Sequence, residues 1–165
     1  MASDDEYSLI RIFPDFADSV IWFVIGTVSY EESRVSADLR RDMEAWQAHY
    51  EETMGNTFVW RSREDHAYHA AEGRRLAERL AAEVGQDFKV EYFDVRDRKV
   101  QVRSSRPATN KAAAQALSTV ATSHREFDER IEREAEEGAS FGWFANRPNG
   151  EFGTHDDGQT DRDHV

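Results

Sequence analysis

Cysteine is absent from this 165-residue chain. That excludes a disulfide framework, an iron–sulfur or zinc–thiolate site and a cysteine nucleophile. Long apolar runs are missing as well. The longest, Val20 to Val28, falls far short of the roughly 20 residues that a membrane-spanning helix needs, and reads instead as a buried strand. The acidic opening Met1-Ala2-Ser3-Asp4-Asp5-Glu6 is not that of a secretory leader, which points to a cytoplasmic protein. No GxSxG elbow, P-loop, GxGxxG turn or HExxH helix occurs, so the common catalytic signatures are missing too. Lysine is scarce, three residues against eighteen arginines. An acid-rich, lysine-poor chain is what a GC-rich genome or a salty cytoplasm would also produce.

What is present is negative charge, and its placement is uneven. The net charge is −12: residues 1–38 carry −6, residues 39–127 carry +1 and residues 128–165 carry −7. A neutral body with acidic ends is repelled by nucleic acid and anionic lipid, and is drawn to a basic protein. Acidic ends also serve simple solubility.

Periodicity assigns the elements. Leu9 to Phe13 reads as a first strand closed by Pro14, and Val20 to Val28 as one central strand with both faces covered. Tyr30 to Val35 reads as a polar connector. Ser36 caps a helix whose stripe is Leu39, Met43, Trp46 and Tyr50, stopped by Gly55. Phe58 and Trp60 lie on a short extended piece. A second helix carries Tyr68, Leu76, Leu80 and Val84 and ends at Gly85, which supplies the positive φ of a C-cap. Phe88, Val90 and Tyr92 alternate as a strand, and Val100 and Val102 return beyond a polar turn to complete a hairpin. After Pro107, Thr109 or Asn110 caps a long helix with the stripe Ala113, Leu117, Val120, His124, Phe127, Ile131 and Ala135. At 1.5 Å per residue it would run about 43 Å, longer than a small sheet is wide, so its glutamate-rich end projects or meets another chain. The expected fold is α+β: a four-stranded, largely antiparallel sheet packed by three helices, with a long C-terminal helix and an acidic tail. Residues 1–7 are expected as a disordered acidic lead-in, 8–145 as one domain and 146–165 as a flexible tail.

The run Glu72-Gly73-Arg74-Arg75-Leu76-Ala77, then Leu80, Glu83-Val84-Gly85 and Val90-Glu91-Tyr92-Phe93-Asp94, preceded by the Trp46 and Tyr50 helix, resembles small uncharacterised proteins of high-GC Gram-positive bacteria over residues 9–95. The resemblance implies a fold and no activity.

Chemistry-bearing groups are few. His66, His69 and Glu72 recur every three residues, a spacing that could present two imidazoles and a carboxylate to a metal on one helix face; exposed histidines on a first turn need no such role. His124 lies in a stripe with Asp128 four residues on, an arrangement fit for a general base or for a satisfied core histidine. His49 with Glu52 and Thr53 has less company. Arg96, Arg98, Lys99, Arg103, Arg106 and Lys111, against Asp97, make a local charge of +5 that would suit phosphate. The expected function is that of a non-enzymatic, acidic protein-binding module without cofactor, of the inhibitor or immunity type, facing a basic partner. Asp128, Glu129, Glu132, Glu136 and Glu137 would attract that partner and Trp143 and Phe144 would anchor it. The alternatives are a small metal-dependent hydrolase using His66, His69 and Glu72, or a regulatory protein that contacts or mimics nucleic acid. The long helix offers a face for a homodimer.

Overall fold

Helix starts and stops fall where side chains satisfy the end groups of the backbone. In the computed structural model, which describes residues 4–136, α1 (Asp4–Tyr7) and α2 (Tyr30–Ser33) are single turns, while α3 (Ala37–Met54), α4 (Arg63–Val84) and α5 (Lys111–Glu136) are long. The Ser36 hydroxyl accepts the Leu39 N–H at 3.2 Å to open α3. Ser62 accepts the Asp65 N–H at 3.0 Å and donates to the Asp65 carboxylate at 2.8 Å, a reciprocal cap that opens α4. Asn110 accepts the Ala113 N–H at 3.1 Å to open α5. Gly85 stops α4 at φ +81°, and a Cβ there would collide with the backbone of Ala108. The Glu83 carboxylate accepts the Ser36 N–H at 2.9 Å and an Asn110 amide N–H at 3.0 Å, which ties the starts of α3 and α5 to the end of α4.

The sheet has five strands in the order β3-β2-β1-β4-β5. These are β1 (Leu9–Ile12), β2 (Ile21–Phe23), β3 (Gly26–Thr27), β4 (Lys89–Phe93) and β5 (Lys99–Val102). The sheet is mixed, since β1 and β4 pair in parallel with Ile10 opposite Val90. The expected hairpin of β4 and β5 is present, with Tyr92 opposite Val100. The parallel pair is the correction to a largely antiparallel four-stranded sheet: α3 and α4 lie between β1 and β4 in the chain and carry it back to the starting end. The expected single strand Val20 to Val28 is a second correction. It folds as a hairpin with Phe23 opposite Gly26, because Gly26 at φ +145° lets the chain reverse, leaving Ile25 on the turn and exposed.

Ile10, Ile12, Ile21, Leu39, Met43, Leu76, Leu80, Val84, Val90 and Leu117 are essentially inaccessible and form one core. The opposite face of the sheet carries Arg11, Trp22 and Glu91; the buried Glu91 carboxylate accepts from Gln101 at 3.0 Å and lies 3.6 Å from Arg11. Several expected positions shift. The α4 stripe is Ala70, Gly73, Leu76, Ala77, Leu80, Ala81 and Val84, with Tyr68 exposed. The polar connector contains α2, with Tyr30 and Ser33 buried. A 3-10 turn over Gly55–Thr57 precedes Phe58, which is not extended but sits at φ +54°. The expected disordered lead-in includes the helical turn α1, with Tyr7 buried. In α5, burial stops at Val120, and Phe127 is exposed. Among the described residues no helix is long and apolar enough to cross a membrane.

Candidate partner-binding site

Parallel pairing brings the C-terminal ends of β1 and β4 side by side, at the point where the chain leaves β1 toward β2 on one side and faces β4 on the other. A crevice opens at such a reversal because neighbouring connections diverge. Here Phe13 and Pro14 follow β1, and Phe93 and Asp94 end β4 and begin its turn. The last turns of α3 bring Trp46 and Tyr50, the first turns of α4 bring His66 and His69, and the connector between them brings Trp60. Together they line a cleft of about 220 Å³.

The cleft is built from stacked rings. Trp46 lies parallel to His69 at 4.5 Å between centroids, and Trp60 lies parallel to His66 at 5.0 Å. Tyr50 meets Trp60 edge-on at 5.8 Å, and Phe13 meets Phe93 edge-on at 6.4 Å. The Trp46 indole N–H donates to the His69 carbonyl at 2.9 Å, which locks α3 to α4. That close approach requires Gly73, where a Cβ would stand 2.8 Å from the Trp46 ring. Burial, reinforced by the nearby His49 and His66, pushes the pKa of His69 down to about 3, so the floor of the cleft is a neutral imidazole. At the mouth, the His66 Nε2 is 3.3 Å from the Asp97 carboxylate. Asp94 is held by Arg98 at 2.6 Å, and these hydrogen bonds draw its pKa down to about 2.

The expected metal ligands do not converge. His66 faces Asp97, His69 is sandwiched in the ring stack, and the Glu72 carboxylate accepts from Arg75 Nε at 3.0 Å. Among the described residues no group of three or more histidine, cysteine, aspartate or glutamate side chains is placed to hold a metal. His49 lies 3.7 Å from Asp65, and Glu52 lies 3.2 Å from Arg61. His124 is half-buried with its ring edge-on to Phe23, and Asp128 turns instead to Tyr7, whose hydroxyl donates to it at 2.6 Å. That bond raises the Tyr7 pKa to about 12. Asp128 is therefore engaged within the fold, whereas Glu129 and Glu136 are exposed and Glu132 is half-buried. Glu137, Trp143 and Phe144 lie outside the described residues. In the basic cluster, Arg98 is paired with Asp94, Lys99 lies 3.7 Å from Glu91 and Arg103 donates to the Gln86 carbonyl.

A family model described as Serratia CdiI immunity protein-like matches residues 8–95, more than half of the chain. The chain belongs to that family. No curated protein and no solved structure matches it. The residues matched to the Serratia CdiI immunity protein-like family run from the approach to β1 to just beyond β4, so they include every element that lines the cleft except Asp97 in the following turn. α5 and its glutamates lie outside the match.

Periodicity places Trp46 and Tyr50 in a helix stripe, Phe13 in a strand, Trp60 on a short extended piece, and His66 and His69 as ligand candidates. One signal was available: Trp46, His49, Tyr50, Phe58, Trp60, His66, Tyr68 and His69 crowd into a short span on either side of one turn. What no spacing rule supplies is Phe13 and Phe93, which the parallel strand pair brings from afar.

Proposed function

We propose that this chain is an immunity-type protein that binds a toxin protein and blocks it by occupation, without chemistry of its own. The observation that carries this reading is the match of the Serratia CdiI immunity protein-like family to the stretch that builds β1 to β4, α3, α4 and all of the cleft but Asp97. The net charge of −12 supports a basic partner, because complementary fields speed encounter and disfavour wrong partners. Large apolar side chains at the cleft end, Phe58, Val59 and Tyr68, are more than half exposed, as anchors of a partner surface are before it binds. The acidic face of α5, with Glu129, Glu132 and Glu136, would act mainly in attraction.

The test is co-expression with candidate toxins, starting with any encoded next to this chain's gene. Restored growth, together with a 1:1 complex on size-exclusion chromatography that forms more slowly as salt rises, is expected. Unrelieved toxicity with the chain folded and abundant would overturn the reading. The mass of the free chain in the same run decides whether α5 pairs two copies.

A further inference from the structure

We infer that the cleft at the ends of β1 and β4 receives an arginine side chain of the partner, an assignment that rests on the immunity reading above. Size is the first argument. About 220 Å³ is below the roughly 300–1,000 Å³ of pockets that hold whole small ligands, and suits one inserted side chain. The walls are the second. Phe13, Tyr50, Trp60 and Phe93 present ring faces and edges on several sides, and a planar guanidinium stacks on such faces better than a lysine ammonium does.

Charge is the third argument, and it selects a cation over an apolar residue. The lining holds Asp94 and Asp97 and neither lysine nor arginine. Asp94 is already paired with Arg98, whereas Asp97, though flanked in sequence by Arg96 and Arg98, is highly exposed and has its carboxylate 3.3 Å from the His66 Nε2. An incoming guanidinium can replace the imidazole as its partner and form a charge-assisted pair. The neutral His69 at the floor, with a buried Nδ1 that has no hydrogen-bond partner, does not repel it.

The rim completes the site. Phe16 and Phe58 are exposed and stand at φ +46° and +54°. Bulky residues in the left-handed region cost on the order of 1–3 kcal/mol each, a strain that persists where it serves a site. Phe16 meets Tyr50 edge-on at 6.2 Å, and Phe58 shares a shallow groove with Trp60 and His66. Apolar groups around a central charged contact exclude water and strengthen it.

The experiment follows the Trp60 indole signal in ¹⁵N-labelled full-length chain during titration with N-acetyl-arginine amide, and separately with N-acetyl-leucine amide. The arginine amide should shift the signal saturably in the millimolar range, the leucine amide should not, and Asp97→Asn should abolish the shift. Asp97 sits at φ +54°, a conformation that asparagine also adopts, so Asp97→Asn should fold. No shift with arginine, or an equal shift with leucine, overturns the inference. So does a Trp60 shift that depends on protein concentration alone, which would make the occupant a second copy. With the toxin, Asp97→Asn should weaken binding by about tenfold or more. An unchanged toxin affinity would overturn the arginine assignment and leave the immunity reading standing. Arginine-amide binding by a chain that gives no protection would do the reverse.

Discussion

The cleft end and the far half of α5 are held by different forces. At the cleft, rings from five segments pack on one another, and the two helices approach closely enough that Gly73 touches Trp46. Packing of this kind is insensitive to salt and fixes side chains in one arrangement. Beyond Val120, α5 keeps no fully buried residue. It is tied down by the Tyr7 hydroxyl on Asp128 and by the Arg125 guanidinium 5.1 Å over the Tyr7 ring. A surface for specific docking benefits from the first arrangement, because little order is lost on binding. A surface for long-range attraction works with the second, because field strength depends on charge more than on exact position.

The largest effect should separate the two halves of α5 itself. Leu117 is fully buried, so Leu117→Ala should cost about 2–5 kcal/mol by urea unfolding. Ile131→Ala, half-buried in the far half, should cost no more than about 1 kcal/mol. Comparable losses at both positions would mean that the far half is packed as tightly as the near half, and the contrast would fail.

Acid should destabilise the cleft through His69, as it does α5 through His124, whose pKa burial also lowers. His69 has its folded-state pKa near 3, well below the 6.5 of an unperturbed histidine. Between those values the unfolded chain takes up a proton that the folded chain refuses, so stability falls as pH drops from about 6.5 toward 3 and is unaffected by this group above 6.5. The slope from one such proton is about 1.4 kcal/mol per pH unit. His69→Phe keeps a ring against Trp46 and cannot titrate, so its melting temperature should depend less on pH in that window. Parallel pH profiles for the two proteins would mean that His69 is not desolvated.

Gly73→Ala sets local preference against packing. Alanine is favoured over glycine in a helix interior by about 1 kcal/mol. At position 73 the added methyl meets the Trp46 ring at 2.8 Å, and overpacking of this kind costs typically about 1–3 kcal/mol. We expect a net loss of stability and a changed Trp46 environment in near-ultraviolet circular dichroism. A stabilised variant with unchanged spectra would mean that the α3–α4 contact is loose.

These contrasts also explain which features could be read from the sequence. Ser36, Asn110 and Gly85 act within one turn of their own position, and each caps a helix as expected. The β4–β5 hairpin is equally local. The pairing of β1 with β4 is not, since it joins residues 9–11 to 89–91, and local periodicity carries no information about partners so far apart. The hairpin inside Val20–Val28 was hidden by its own turn, where Val24 and Ile25 stand in place of the usual turn residues and Gly26 is the sole cue. For the site, spacing correctly placed His66, His69 and Glu72 on one helix but could not show what faces them. Trp46 and Trp60 cover the rings, and Arg75 takes the carboxylate. The glutamates of α5 were legible as charge, yet Asp128 was committed to Tyr7 by a contact spanning 121 residues.

That contact gives the finest test of the comparison. Tyr7→Phe removes the hydroxyl and leaves Asp128 open to solvent, so the global cost should be small. The local cost should be visible: amide exchange should quicken over residues 121–136, while residues 111–120, anchored by Ala113, Leu117 and Val120, keep their protection. Asp128→Asn should act the same way and should return the Tyr7 phenol from about 12 toward its ordinary value near 10, followed by ultraviolet titration. In neither variant should the Trp60 indole signal move, because the contacts seen to hold that part of α5 run to Tyr7 and Phe23. A shift at Trp60 would mean that the two regions answer to each other, and that a partner drawn in by the α5 acids could change the cleft it is meant to enter.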